Sequence, residues 1–499
     1  MGVIKRQSIK GTIYSYIGTV IGFATAGLLF PRFLSTEQIG LLSLLASYSS
    51  LFAVFGSFGF TSVIIRLFPY FRDEKNQHHG FFLLTAAVTA AGYLLSILLF
   101  FLLKPLIIKD SIGQSPLFVS YLYLIPPLIL FLLLFSIYDS YNRALFNATY
   151  GTFLTEVFQR FVILALILLF IASLLNFNLF VILYIVALCL PGILVFYPLF
   201  LKKQVFIRPE FSFIDRDLRK EIVNVSLFGI IIGYSNIIIQ RVDTVMINSM
   251  IDLSATGIYS ISLLFGGIVS LPSRSINRIS TTVISDAWKN DDIETIKSVY
   301  FKSCLNQTII GALVFAGIWA NIRNIFHILP SDFLSGRYVI FYFGLSALTT
   351  MMAGVGSSVI NLSREYRYNT YFTLAFGLMV IVTNLVFIPA YGITGAALAA
   401  FISNLAYHLM QGIFLYIKYR LFPYDFKLLI VLLAAVVTYL LNLLLPDLPN
   451  FILDILLRST LMAIVYGSLI LVLKVSTDVN DVLASLTGNL LSLFNKKNT

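Results

Sequence analysis

Ile163-Leu-Ala-Leu-Ile-Leu-Leu-Phe-Ile-Ala172 and Leu428-Leu-Ile-Val-Leu-Leu-Ala-Ala-Val-Val437 are apolar on every face. A strand of a membrane barrel would alternate apolar and polar residues over about ten positions. A soluble helix would leave one polar stripe. Neither pattern is present, and backbone groups in lipid must be satisfied within the segment, so these runs predict membrane-spanning helices. Extending outward to segments of about 20 residues, the same reading applies fourteen times. The segments are 12–31, 40–65, 81–103, 117–138, 153–174, 179–201, 223–250, 255–276, 299–320, 338–360, 369–389, 393–416, 427–445 and 457–474.

Composition agrees. Of 499 residues, 59% are apolar and only 11% are Asp, Glu, Lys or Arg. A soluble domain has about 25% charged residues, so the chain has too few to coat several soluble domains. The 34 Lys+Arg against 23 Asp+Glu give a net charge of +11. The basic residues form no single patch, which argues against nucleic acid as a partner. They are sorted by topology instead. With the N-terminus inside, only Arg32, Lys104, Lys109, Arg323, Arg337 and Arg458 fall outside, and Arg160 and Arg241 fall within spans. That bias predicts cytoplasmic N- and C-termini and an even number of spans. The basic start (Lys5, Arg6, Lys10) reads as the flank of the first span and not as a signal peptide. Its apolar run is too long and ends at Pro31-Arg32 without a small-residue cleavage site.

The longest loop, Lys202 to Ile222, separates six spans from eight. A weak repeat supports a boundary there. Thr36-Glu-Gln-Ile-Gly40-Leu-Leu-Ser43 aligns with Leu253-Ser-Ala-Thr-Gly257-Ile-Tyr-Ser260. At the same offset, Phe71-Arg-Asp-Glu74 aligns with Trp288-Lys-Asn-Asp291. Six spans per copy is an even number, so the copies share one orientation. The expected organisation is an N-terminal lobe over 1–215 and a C-terminal lobe over 216–426. Two further spans and a tail occupy 427–499, and Val479–Phe494 has the spacing of an interfacial helix.

Charges inside spans are costly and mark function or structural pairing. Arg241 lies roughly 14 Å from the outer end of its span, near mid-depth. Arg241 and Asp243 are two apart on a helix and point away from each other. The functional reading gives a substrate anion to Arg241 and a coupling cation or proton to Asp243; the structural reading is an interspan salt bridge. Asp139/Arg143 and Glu156/Arg160 have salt-bridge spacing and read as ordinary pairs or as a cytoplasmic gate. Arg274 and Arg278 share a face without an acid at that spacing. They could hold a phosphate bidentately or snorkel to lipid headgroups. Asn236, Asn384, Asn404, His408 and Gln411 read mainly as interhelical hydrogen-bonding groups. Cys189 and Cys304 lie in apolar stretches and read as inert thiols. No metal-ligand spacing, Walker A or GxSxG motif occurs, so neither a metal nor another cofactor is expected.

Three patterns, in order, resemble the polysaccharide flippases (Wzx-type) of the multidrug/oligosaccharidyl-lipid/polysaccharide exporter superfamily. They are Phe30-Pro31-Arg-Phe-Leu34-Ser-Thr-Glu37-Gln-Ile-Gly40-Leu, Arg241-Val-Asp243 followed by Gly257-Ile-Tyr-Ser260, and Ile388-Pro-Ala-Tyr-Gly392-Ile-Thr-Gly395-Ala-Ala. The resemblance implies an all-α integral membrane fold with two six-helix lobes around a central cavity. It implies a transporter and not an enzyme, in the bacterial plasma membrane. A polyprenyl-diphosphate-linked oligosaccharide would pass from the cytoplasmic to the outer leaflet by alternating access. Glycan polymerase or glycosyltransferases of the same pathway, membrane lipids and a coupling sodium ion or proton are the implied partners. Arg241, Arg274, Arg278 and Arg66 are the expected substrate-binding residues, and Asp243 the expected coupling residue. Alternatives are a peptidoglycan lipid-precursor flippase and a cation-coupled multidrug antiporter. The absence of charge between Thr12 and Pro31 weakens the antiporter reading. A membrane glycan polymerase or ligase is disfavoured because the largest outer loop, 321–337, carries only Arg323, His327, Asp332 and Arg337 as charged or titratable groups.

Overall fold

The computed structural model describes residues 2–476 apart from 112, 207–209, 211 and 212, together with 478 and 480. The expected tail helix at Val479–Phe494 therefore lies, except for Asn480, outside the described residues. Among these residues the fold is helical, without strands. The elements that position the site are α1 (Ile9–Phe33), α2 (Thr36–Gly56), α3 (Phe60–Phe71), α4 (Phe81–Ser111), α5 (Leu122–Ala144), α6 (Ala148–Ile171), α7 (Phe177–Leu201), α8 (Arg216–Met250) and α9 (Leu253–Ser270). They are followed by α10 (Ser273–Lys289), α11 (Ile293–Ala320), the bent pair α12 (Ser331–Met352) and α13 (Gly356–Leu362), α14 (Tyr366–Tyr419), α15 (Phe426–Leu443) and α16 (Phe451–Val472).

Local chemistry sets the boundaries. Ser35 Oγ accepts from the Gln38 N–H at 3.2 Å, and Gln38 Oε1 accepts from the Ser35 N–H at 3.0 Å. This capping box starts α2 and accounts for the polar Ser-Thr-Glu-Gln within an apolar run. Asp215 Oδ1 accepts from the Leu218 N–H at 2.7 Å and starts α8, seven residues before the span expected from hydropathy. The segment expected at 40–65 is broken. Phe58 and Gly59 take left-handed φ of 46° and 66°, and α3 begins beyond them. The one expected at 255–276 is interrupted differently, by a tight 3-10 turn at Ile268–Ser270 without left-handed residues. Hydropathy misses both breaks because the residues on either side remain apolar.

α14 is 54 residues long and contains Gly392 at φ 59°, ψ −140°. A methyl group on Gly395 would overlap the Phe387 carbonyl. Residues eight apart in a continuous helix are separated by about 12 Å, so the chain folds back at Gly392. Among the described residues, twelve helices and one bent pair are long and apolar enough to cross a membrane. With α14 a hairpin of two limbs, the set is compatible with fourteen crossings.

The chain forms two compact units. The first comprises Met1–Leu264 with Thr373–Ala396, and the second Phe265–Phe372 with Ala397–Thr499. The middle of the α14 hairpin thus packs with the first unit, and α15 and α16 pack within the second. In the first, α2 lies against α5 and α8, and α3 against α5 and α8. In the second, Val269, Leu305, Ile309, Met351, Val431, Met462, Tyr466 and Ile470 form a shared core. There Tyr466 donates its hydroxyl to the Ile309 carbonyl at 2.9 Å.

Candidate transport site

Within the first unit, α2 and α9 cross at a pair of glycines. A methyl group on Gly40 would overlap the Leu253 carbonyl, and one on Gly257 would overlap the Thr36 carbonyl. Each glycine also faces the other's backbone nitrogen. Thr36 Oγ1 and Ser254 Oγ share a hydrogen bond of 2.7 Å beside them. Leu253 aligns with Thr36 and Gly257 with Gly40 in the repeat, so the contact maps each copy onto the other.

α9 then presents Tyr259 to α8. The Tyr259 hydroxyl donates to Asp243 Oδ2 at 2.5 Å. The Thr244 N–H donates to Oδ1 at 2.7 Å. Asp243 is 6% exposed and Tyr259 fully buried. The two halves of the Arg241-Val-Asp243…Gly257-Ile-Tyr259 pattern are therefore one hydrogen-bonded unit. Asp243 forms no salt bridge to Arg241, as their helical spacing requires. Arg241 is half-buried, lies in electrostatic range of Asp243 and Tyr184, and its buried Nε has no hydrogen-bond partner.

Asn384 adds to this place. Gly377 lies against Ser235 and Gly392 against Ile251, so the first limb of α14 runs parallel to α8. The same register sets Asn384 level with Val242 and Asp243. Asn384 is fully buried, and neither its Oδ1 nor its Nδ2 has a partner. A buried amide left unsatisfied costs about 1–3 kcal/mol, so Asn384 stands apart from the other polar residues of the spans. The sequence shows Asn384 as one polar residue among several; only the register singles it out.

The other expected residues separate. Arg66 belongs to the first unit, exposed on α3 opposite the buried Val63, Ile64, Leu67 and Phe68. Arg274 and Arg278 belong to the second, exposed one turn apart on α10. Between them Asn277 Oδ1 accepts from Gln307 Nε2 at 2.8 Å, which fixes this face of α10 against α11.

The two expected pairs are salt bridges. Arg143 Nη2 lies 2.6 Å from Asp139 Oδ2, and Arg160 Nη2 lies 2.7 Å from Glu156 Oε2. Arg160 also donates from Nη1 to the Gly18 carbonyl of α1 at 2.6 Å. A side chain on Gly18 or Gly22 would overlap Glu156 or Arg160. Those glycines let the charged pair reach the backbone of α1. A π-helical turn at Leu154–Phe158 carries Glu156 there, a device often found at functional positions.

Asn404, His408 and Gln411 join a ladder inside the second unit. Asn404 Nδ2 donates to the Ser346 carbonyl at 2.8 Å and to Thr350 Oγ1 at 2.9 Å. His408 lies 3.3 Å from both Thr350 Oγ1 and Gln411 Oε1. Gln411 Nε2 donates to Asn369 Oδ1 at 2.7 Å. These groups satisfy one another between helices, which is the structural reading. Cys189 and Cys304 are buried and free. Among the described residues no group of His, Cys, Asp and Glu is arranged to hold a metal.

The model of the polysaccharide biosynthesis protein family matches residues 8–285, and the chain belongs to that family. The fold is that of the MOP superfamily of membrane transporters, and the chain is a multi-pass membrane protein. It is similar to the lipid II flippase MurJ in an inward closed conformation, with TM-score 0.73 and 16% identity over 92% of this chain and 98% of that one. An inward-facing MATE-family multidrug resistance transporter gives TM-score 0.61 and 14% identity over 83% of this chain and 97% of that one. The MATE multidrug transporter DinF-BH in complex with R6G gives TM-score 0.57 and 15% identity over 85% and 97%. No curated protein sequence matches the chain.

Proposed function

We propose that this protein is a flippase of the bacterial plasma membrane. It carries a lipid-diphosphate-linked oligosaccharide, a repeat unit of O-antigen, capsule or exopolysaccharide, from the cytoplasmic to the outer leaflet by alternating access. Membership in a polysaccharide biosynthesis family is the observation that carries this reading. Arg241 supplies the chemistry. A guanidinium near mid-depth without a salt bridge among the described residues suits the charge of a passing diphosphate. Arg66, Arg274 and Arg278 are exposed cations that fit the same role. Asp243, held by Tyr259 beside Arg241 and level with the unpartnered Asn384, is the proposed coupling residue for a cation or proton. Asp139/Arg143 and Glu156/Arg160 are the proposed cytoplasmic gate. In this reading 1–215 and 216–426 are the two lobes, both termini are cytoplasmic and no catalytic step is involved. Glycan polymerase or glycosyltransferases of the pathway are the proposed partners.

Loss of the gene tests this. A lipid-linked oligosaccharide should accumulate on the cytoplasmic face while surface glycan disappears; altered drug sensitivity with intact glycan would instead favour the antiporter reading. The likeness of the fold to the lipid II flippase favours a second cargo, a peptidoglycan lipid precursor. In that case depletion should stop wall synthesis and lyse cells with surface glycan intact. Arg241→Ala should abolish surface glycan with normal membrane insertion. Unchanged glycan reduces Arg241 to a structural role.

A further inference from the structure

The basic residues at the end of the second unit that holds Trp319, Arg337 and Arg458 are not explained by topology. Sequence-based orientation places this end outside, where basic residues are scarce. Yet three of the six outer basic residues, Arg323, Arg337 and Arg458, gather here. A cavity of about 260 Å³ is lined by Ile322, Arg323, Phe326, His327, Leu334 and Arg337. Asp447 spans two of the arginines, 2.7 Å from Arg323 Nη1 and 2.8 Å from Arg458 Nη2. Arg458 is buried and fully used by Asp454, Asp447 and the Asn442, Leu445 and Pro446 carbonyls. Its role is to hold the loop that aims Asp447.

Arg337 is different. It forms no salt bridge among the described residues and lies over the Trp319 ring at 5.3 Å from the centroid. Stacking keeps a guanidinium fork oriented and leaves its N–H edge free for a planar oxyanion. Arg323 shares its charge with Asp447, and Asp332 is an exposed carboxylate on the adjoining turn Ser331–Gly336. The cavity therefore offers one unshared cation, one shared cation and the His327 imidazole, over an apolar floor of Ile322, Phe326 and Leu334.

We infer that Arg337, Arg323 and His327 form a binding site for a phosphate oxyanion, separate from the Arg241 site. The volume accommodates a pyrophosphate group, and the apolar floor suits the lipid-proximal part of a phosphorylated glycolipid. Two sources supply that chemistry at a membrane surface: the diphosphate of the transported lipid as it leaves, or the headgroup phosphate of a bilayer lipid. Only the first rests on the flippase reading.

The chain has two tryptophans, so Trp288→Phe leaves Trp319 as the sole reporter beneath Arg337. The full chain is placed in phosphatidylcholine nanodiscs and titrated with inorganic pyrophosphate. A saturable change in Trp319 emission is expected. It should weaken at least about tenfold in Arg337→Gln, which loses the charge-assisted bonds, and persist in Arg241→Ala. A response absent with pyrophosphate but produced by phosphatidylglycerol in the disc, and lost in Arg337→Gln, assigns the site to bilayer lipid. A response to neither, or one unchanged in Arg337→Gln, overturns the proposal. Calorimetric titration of pyrophosphate into the native chain and Arg337→Gln gives the same comparison without touching Trp288. Surface glycan measured in Arg241→Ala cells tests the flippase reading independently.

Discussion

Gly40 and Gly257 pack backbone to backbone, each where a Cβ would overlap the helix that carries the other. Helices approach this closely only where both lack side chains. Because the two residues are equivalent in the repeat, the α2–α9 contact is a symmetric joint. Gly257→Val should force the helices apart. Overpacking costs typically 1–3 kcal/mol, and backbone overlap places this change at the upper end. A clear drop in the melting temperature of the purified protein is expected, and Ser260→Ala, which removes only a hydroxyl bonded back to its own helix, is the control. An unchanged melting temperature in Gly257→Val would contradict the packing.

Tyr259→Phe removes the hydroxyl that donates to Asp243. The carboxylate keeps Thr244 but loses its partner across helices. Leaving a buried acceptor unsatisfied costs about 1–3 kcal/mol. Thermal unfolding should show that loss, and Asp243→Asn with Tyr259 retained should recover part of it, since the amide oxygen still accepts. An unchanged melting temperature in Tyr259→Phe would mean that the hydrogen bond contributes little.

Arg458 and Asp454 form a salt bridge in which both groups are buried, 5% and 3% exposed. Removing one partner of such a pair costs about 3–5 kcal/mol because the other charge stays buried. Arg458→Ala should therefore lower yield and melting temperature markedly. Asp454 would keep only Asn324 Nδ2, at 2.6 Å, and the Leu448 N–H. Arg323→Ala breaks an exposed pair instead and should cost under about 1 kcal/mol. Equal effects from the two would refute the distinction.

Glu156→Gln tests the tether to α1. Arg160 would keep its bond to the Gly18 carbonyl but lose its counter-charge. An intramembrane cation without a partner is costly, so stability should fall. Glu156→Asp should be milder yet still impaired because it is one methylene short. If gating depends on the pair, transport should fall further than melting temperature does.

At the other end of the chain, Lys302 Nζ lies 2.9 Å from Asp478 Oδ1. That hydrogen bond to a cation, with a second from Asn306, holds the Asp478 carboxyl below its ordinary value. A lowered folded pKa stabilises the docked segment above the unfolded value of about 3.9. The contribution is lost as pH falls through the folded value. The pair is largely exposed, so salt screens it. Protease cleavage near residue 478 should accelerate below about pH 4 and in high salt. A rate insensitive to both would mean the pair does not hold the segment.

The membrane helices were legible because lipid imposes one rule on every residue of a span, and Ile163–Ala172 obeys it on all faces. Breaks inside apolar runs were hidden. Phe58 and Gly59 leave the helix through φ alone, which hydropathy does not record. Arg241 and Asp243 were legible as costs: charge within a span stands out against its neighbours. Tyr259 stood out only as part of the Gly257-Ile-Tyr-Ser260 pattern; its bond to Asp243 did not, since one tyrosine among 27 carries no mark of which hydroxyl meets a carboxylate. The Gly18 and Gly22 stripe was equally mute, because its purpose lies in the Arg160 side chain of another helix. Asn384 gained significance only from helix register, which comes from packing and not from local pattern.

The middle of the α14 hairpin, Thr373–Ala396, packs with helices that precede it by more than a hundred residues. Val380, Ile388 and Ala396 are buried in that unit. During synthesis the first 264 residues therefore emerge without the piece that covers this surface. At roughly 5–20 residues per second, the intervening segment takes about 5–20 s to appear. For that interval a partly built unit waits in the membrane with an apolar face and the Asp243 neighbourhood unsealed. The hairpin closes the unit late, after the rest of it has been made.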